Sequence, residues 1–309
     1  MKAVLTQSQS EIFMNCVRKA VLPVAGLGTR VLPATKSVPK EMLPIFDRPA
    51  IQYVVNEAFE AGIEHIVFVT GRNKSSIDDH FDRAYELEAS LREKKKYDIL
   101  DQLEAERPIA GSMSFVRQQS PLGLGHAVWC ARDVIGDEPF AVLLPDVLVK
   151  ATPSCLTQMI AAYNDRGGNI IAVEPVPHDQ VNMYGIIEPK SRDGAIIEMA
   201  GMVEKPSIDD APSNLSITGR YILQPEIFNL LSNQPRGSGG EIQLTDAMAT
   251  LMKTQDFFAL EYEGESFDCG SKQGYLRAFV RFALDHEREG EASRATLRRL
   301  LDENAASSV

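Results

Sequence analysis

Residues Ala20-Val21-Leu22-Pro23-Val24-Ala25-Gly26-Leu27-Gly28-Thr29-Arg30 run from an apolar, strand-like stretch straight into a loop holding two glycines and a cation. The segment continues Val31-Leu32-Pro33-Ala34-Thr35-Lys36-Ser37-Val38-Pro39-Lys40-Glu41-Met42-Leu43-Pro44-Ile45. Glycine lets backbone N–H groups approach an anion closely. Arg30 adds a planar fork of donors and Lys40 a mobile point charge, both suited to phosphate oxygens. This chemistry fits a polyphosphate such as that of a nucleoside triphosphate. Two other glycine-loop readings fail. A dinucleotide fingerprint needs a third glycine where Val31 stands, and Asp47, at the spacing of a ribose-binding acid, lies in the turn-like Phe46-Asp47-Arg48-Pro49. A P-loop needs glycine before Lys36-Ser37, where the chain has Thr35.

Further constellations stand at the ends of other apolar runs. Phe140–Leu144 reads as a buried strand and ends in Pro145-Asp146. Open α/β sheets bind ligands beyond the carboxyl ends of their strands, and an acid there suits Mg²⁺ on a triphosphate; a turn or helix-cap role is the alternative. Asp268 in Ser266-Phe267-Asp268-Cys269-Gly270 has the same two readings. In Arg117-Gln118-Gln119-Ser120-Pro121-Leu122-Gly123-Leu124-Gly125-His126-Ala127, a glutamine amide offers the donor and acceptor that a uracil edge needs; a polar turn before a helix competes. His126 reads as a packed or capping residue rather than a general base. Glu204-Lys205-Pro206 closes the run from Ile196 to Val203 and alone would be a surface pair. Gly185 in Met183–Ile187 and Gly219 in Thr218–Tyr221 mark turns or exposed backbone. Cys269 has no adjacent histidine and is not read as a nucleophile.

Strands are expected at Lys19–Val24, His65–Thr70, Ser114–Arg117, Phe140–Leu144, Asn169–Glu174 and Ser216–Leu223. Helices are expected at Pro49–Ala61, Ser75–Phe81, Gly125–Val134, Cys155–Asp165 and Ile242–Thr254. Their alternation predicts βαβ units and a mostly parallel sheet. Tyr85–Arg107 reads as one or two exposed helices. Pro175–Ser191 and Lys205–Asn214 carry turn residues and are expected near a binding cleft. Gly270–Ala305 is helical, with Tyr275, Leu276, Phe279, Phe282 and Ala283 forming a stripe for core packing or a subunit contact.

The chain has 309 residues, 44% hydrophobic, and a net charge of -11. So acidic a chain does not suit nucleic acid, which needs a basic surface. Cys16, Cys130, Cys155 and Cys269 are scattered, which argues against zinc and a disulfide framework and fits a reducing cytoplasm. No run approaches the ~18 apolar residues of a membrane span, and the N-terminus lacks the apolar core of a signal peptide. Residues 1–15 are expected to be a flexible extension, residues 16–290 one catalytic domain, and residues 270–305 a helical segment packing on it or on a neighbouring subunit.

The Gly26–Pro44 segment closely resembles the signature of bacterial UTP–glucose-1-phosphate uridylyltransferases, in the sugar-nucleotide pyrophosphorylase group. The resemblance continues at Ile51–Ala58, Ile66–Arg72, Gly123–Val128, Val203–Pro206 and Gly239-Gly240-Glu241-Ile242-Gln243-Leu244-Thr245-Asp246, and spans roughly residues 18 to 288. It implies a Rossmann-like nucleotide-diphospho-sugar transferase fold, a three-layer αβα sandwich around a mostly parallel mixed sheet. It implies transfer of UMP from UTP to glucose 1-phosphate, giving UDP-glucose and pyrophosphate, within carbohydrate and cell-envelope polysaccharide synthesis. By resemblance, Arg30, Lys40 and Lys205 are catalytic. Ala25, Gly26, Gly28, Thr29, Glu41, Gln118 and Gly123 hold the nucleotide. Gly185, Glu204 and Gly219 hold the sugar, and Asp146 and Asp268 bind Mg²⁺. A homodimer or homotetramer is expected, with no nucleic-acid or membrane partner. Two alternatives stand beside this. One is a related nucleotidyltransferase with another NTP or sugar phosphate, although Lys36–Pro44 differs from the thymidylyl group and the hexapeptide-repeat domain of the N-acetylglucosamine type is missing. The other is a noncatalytic regulatory paralogue, which would be expected to lack one of Arg30, Lys205, Asp146 or Asp268.

Overall fold

A computed structural model describes residues 17–237 and 240–306. The expected extension over residues 1–15, together with Cys16 and Gly239, lies outside the described residues. The strands in chain order are β1 Lys19–Val24, β2 Pro44–Ile45, β3 Arg48–Pro49, β4 His65–Thr70, β5 Met113–Arg117, β6 Phe140–Leu143, β7 Val147–Lys150, β8 Asn169–Pro175, β9 Gly185–Asp193, β10 Ile196–Glu204, β11 Leu215–Leu223, β12 Phe257–Glu261 and β13 Glu265–Asp268. Nine of them form one sheet in the order β5-β4-β1-β6-β11-β8-β12-β10-β9. All but β10 and β11 point the same way, so the sheet is mixed and mostly parallel.

The parallel half is made of near-continuous apolar runs because both faces are covered. Every residue of Phe140–Leu143 is buried, as is every residue of His65–Thr70 after the first. One face packs on the helices Ala50–Glu60 and Cys155–Arg166, the other on Leu124–Cys130, Ile227–Asn233 and Leu244–Leu251. From β1 the chain moves outward to β4 and β5, then returns to β6 on the other side of β1. That reversal opens a crevice at the carboxyl ends of β1 and β6, where such sheets bind ligands.

Several expected elements change in detail. Gly125–Val134 is two helices, Leu124–Cys130 and Arg132–Ile135. Tyr85–Arg107 is also two, Tyr85–Glu93 and Tyr97–Ala105, broken where Lys95 takes a φ of 55°. Their face is not wholly solvated: Glu88, Leu91 and Leu100 are buried, with Glu88 paired to Arg83 and Arg107. The C-terminal stripe is core packing for Tyr275 and Phe282, whereas Leu276 is exposed. Strand β9 falls in the stretch expected to be turns. It closes the sheet edge, and its Pro189 and charges are what an edge strand carries.

One buried ion pair fastens the sheet to the crevice. The fully buried Arg220 of β11 donates from Nε and Nη2 to the Glu57 carboxylate, from Nη1 to the Leu144 carbonyl at 3.2 Å, and from Nη2 to the Val147 carbonyl at 2.8 Å. Both ends of the turn carrying Asp146 are thus tied to one guanidinium. Arg220→Met would strand the Glu57 carboxylate in the core, so urea unfolding is expected to show a loss of about 3–5 kcal/mol. A loss below about 1 kcal/mol, the scale of an exposed pair, would contradict the clamp.

Candidate active site

The loop after β1 turns at Gly28, whose φ of 66° is left-handed. A Cβ there would lie 3.2 Å from Lys40 Cβ and 3.3 Å from Thr35 Cβ, so glycine answers both backbone and space. The Thr35 hydroxyl closes the loop on the Gly28 carbonyl at 2.7 Å. Thr29, Arg30 and Val31 form one 3-10 turn, and Lys40, Glu41 and Met42 another. Lys40 lies across Gly26 and reaches Asp146, with Nζ 2.5 Å from Oδ2. Ala25 packs on the backbone at Gly71, after β4.

Asp268 arrives from the far end of the chain. Strands β7 and β13 pair antiparallel with Asp268 opposite Val147, and the Cys269 N–H donates to the Asp146 carbonyl at 2.8 Å. The two carboxylates therefore share one cation: Arg30 Nη2 is 3.6 Å from Asp146 Oδ2, and Nη1 is 3.3 Å from Asp268 Oδ2. Burial pushes the Asp146 carboxyl up, but the Lys40 and Arg30 charges more than offset this and hold it below its ordinary value. Gly270 leaves room for Arg30, since a Cβ there would collide with the guanidinium.

Glu41 is buried and pairs with Lys74 at 2.7 Å, while its Oε1 is buried with no partner among the described residues. Burial is the largest influence on this carboxyl and pushes it up, despite Lys74 and Lys40 nearby. Gln118 follows β5, and its Nε2 lies 3.1 Å from the Gly123 carbonyl and 3.0 Å from His126 Nδ1. The segment around Ile242 braces this loop: Gly125 N donates to the Ile242 carbonyl, and Ile242 N to that of Leu122.

At the other side, Glu204 sits opposite Gly185 in the β9–β10 ladder. Thr245 Oγ1 holds the Glu204 carboxylate at 2.8 Å, and Lys205 Nζ lies 3.6 Å from it. Lys205 has a φ of 47°, a conformation costly for a lysine and characteristic of functional sites. Gly219 has a φ of 72° and lies against Leu144, 2.9 Å from where a Cβ would stand.

The geometry thus gathers Gly26, Gly28, Arg30, Lys40, Asp146 and Asp268 into one cluster. Gln118 and Gly123 form a second group, and Gly185, Glu204 and Lys205 a third. Thr245, Lys74, Glu57 and Arg220 join the site or its support without a role that the sequence alone gives them. Thr245, Glu57 and Arg220 lie inside the motifs Gly239–Asp246, Ile51–Ala58 and Thr218–Tyr221 and were open to discovery there; Lys74 carried no local signal.

A mixed α/β sheet with cations and carboxylates facing each other beyond its carboxyl edge is the plan of a phosphate-handling transferase, and the nucleotidyl transferase family profile matches residues 19–283. A UTP–glucose-1-phosphate uridylyltransferase of Bacillus subtilis (strain 168) is 50% identical over 271 residues, 88% of this chain and 92% of that protein. A UTP-bound UGPase structure from Acinetobacter baumannii superposes with a TM-score of 0.87 at 49% identity, covering 92% of this chain and 100% of that one. A UDP-glucose pyrophosphorylase complexed with UDP-glucose gives a TM-score of 0.80 at 43% identity, covering 86% and 98%. The chain belongs to the nucleotidyl transferase family and, within it, to the UTP–glucose-1-phosphate uridylyltransferases.

Proposed function

We propose that this chain transfers UMP from UTP to α-D-glucose 1-phosphate, giving UDP-glucose and pyrophosphate. The observation that carries this reading is the Lys40–Asp146–Arg30–Asp268 cluster at the sheet's crevice. The similar proteins bound to UTP and to UDP-glucose support the choice of substrates. A sugar phosphate is already mostly dianionic at pH 7, its second pKa being about 6, so its oxygen attacks the α-phosphorus without a general base. Pyrophosphate leaves in line. Arg30 and Lys40 neutralise the triphosphate as charge moves to the leaving group. Glu204, oriented by Thr245, holds sugar hydroxyls, and Lys205 orients the attacking phosphate. Gly185 and Gly219 offer backbone to the sugar. Ala25, Gly26, Gly28 and Thr29 cradle the nucleotide, whose uracil meets Gln118 and Gly123, helped by Ala25, Gly26 and Glu41.

Asp146 and Asp268 would hold Mg²⁺. No group of three or more His, Cys, Asp or Glu suited to a metal occurs among the described residues. Two carboxylates completed by phosphate oxygens nevertheless suit this ion, which needs few protein ligands. Bound there, Mg²⁺ would supply charge neutralisation between the two anionic substrates.

Two further parts belong to the proposal. Exposed Leu276, Leu300 and Leu301 on the C-terminal helices Lys272–Leu284 and Gly290–Ala306 support a homo-oligomer. The free thiols of Cys130, Cys155 and Cys269 fit a cytoplasmic location. No helix among the described residues is long and apolar enough to cross a membrane.

Labelled UTP tests the chemistry. An α-phosphate label should appear in UDP-glucose and a γ-phosphate label in pyrophosphate. Lys205→Ala separates the two substrates. Losing one charge-assisted hydrogen bond, about 1.5–3 kcal/mol, should weaken glucose 1-phosphate use by roughly ten- to a hundredfold and leave the KM for UTP little changed. A variant whose defect falls on UTP would contradict the assignment of Lys205.

A further inference from the structure

We propose that His126 is a specificity-determining residue for the nucleobase, acting through Gln118: it fixes the side-chain amide so that Oε1 faces the base. This rests on the proposed reading that Gln118 meets uracil, and it concerns which atom of Gln118 does so.

The orientation follows from hydrogen-bond chemistry. A backbone carbonyl can only accept, so the Gln118 atom 3.1 Å from the Gly123 oxygen must be the NH₂ nitrogen. That nitrogen's second hydrogen faces His126 Nδ1 at 3.0 Å. Nδ1 must then be an unprotonated acceptor, which puts the ring proton of a neutral imidazole on Nε2. The ring is held from its own helix, stacked on Trp129 at 5.8 Å with Cys130 Sγ 3.9 Å from Nδ1. Burial pushes the His126 pKa down, in the direction that keeps it an acceptor.

With both amide hydrogens engaged, Gln118 has only Oε1 left. No described residue donates to it, and it is not among the buried unpartnered atoms. Uracil offers a matching N3–H donor. Cytosine presents a bare N3 acceptor instead, so Oε1 would face a lone pair. Turning the amide over to suit cytosine would set Oε1 against both the Gly123 oxygen and His126 Nδ1. His126 therefore supplies one of the two barriers to reading the wrong base. Thymine carries the same N3–H, so this device does not separate UTP from dTTP.

The test is the ratio of kcat/KM for UTP to that for CTP, with glucose 1-phosphate, in wild type, His126→Leu and His126→Asn. Leucine removes the acceptor, and losing one neutral hydrogen bond should lower the ratio by about three- to tenfold. Asparagine places an oxygen near the Nδ1 position and should restore most of the ratio. The KM for glucose 1-phosphate should stay near wild type in both. An unchanged ratio in His126→Leu would overturn the inference, as would an equal loss in both variants accompanied by a higher KM for glucose 1-phosphate. Nitrogen-15 NMR of the wild-type protein gives a second check that needs no variant: the Nε2-protonated tautomer of His126 is expected, and the Nδ1-protonated form would overturn it. Wild-type enzyme that used CTP as well as UTP would instead sink the substrate reading itself.

Discussion

Arg30→Ala is expected to lower kcat by about 10²–10³, the usual cost of losing one donor that meets charge developing in the transition state. The KM for glucose 1-phosphate should move far less. The expectation comes from where Arg30 sits. It is more than half exposed, on a 3-10 turn beyond β1, and its guanidinium spans Asp146 and Asp268. An ion pair whose cation is this exposed contributes little to stability, so thermal unfolding should barely change. A large kinetic loss without a stability loss marks a group that serves the substrates. Steady-state kinetics with each substrate varied in turn, beside a melting curve, checks it. A variant that acts only through the KM for glucose 1-phosphate would move Arg30 to the sugar side of the site.

Asp146→Asn should also lower kcat sharply, by roughly 10²-fold or more if one metal-borne stabilisation of several kcal/mol is lost. Its second signature separates a metal ligand from a structural cap. Asp146 holds Lys40 at 2.5 Å and Arg30 at 3.6 Å. Removing its charge leaves both cations without that partner, so UTP binding measured without metal should hold or tighten. In wild type, added Mg²⁺ should strengthen UTP binding; in the variant this gain should shrink. Calorimetry with and without Mg²⁺ reads both effects. A variant that kept wild-type turnover at limiting Mg²⁺ would make Asp146 a turn residue only.

The parallel half of the fold was legible because burial on both faces writes itself as an unbroken apolar run. Lys19–Val24 and His65–Thr70 match the expected bounds, and Phe140–Leu143 differs by one residue. The other half was less legible for the opposite reason. Strand β9 is exposed from Glu188 onward and carries Pro189, so its pattern is that of a loop. Strands β7 and β13 are four residues each, too short for a periodicity to emerge. The site shows the same division. Residue types announced a phosphate loop, a base-reading amide and two acids. Which charges meet was hidden, because Arg30 and Asp268 are 238 positions apart and meet only through the β7–β13 register. The Glu41–Lys74 and Glu57–Arg220 pairs are buried, and nothing local says which charge each of them meets.

The most direct measurement is pyrophosphate release by the purified protein, with each of UTP, CTP, dTTP and ATP against a set of sugar 1-phosphates, in Mg²⁺ and in EDTA. The highest kcat/KM is expected for UTP with glucose 1-phosphate, with no turnover in EDTA. A preference for dTTP over UTP, or full activity in EDTA, would contradict it.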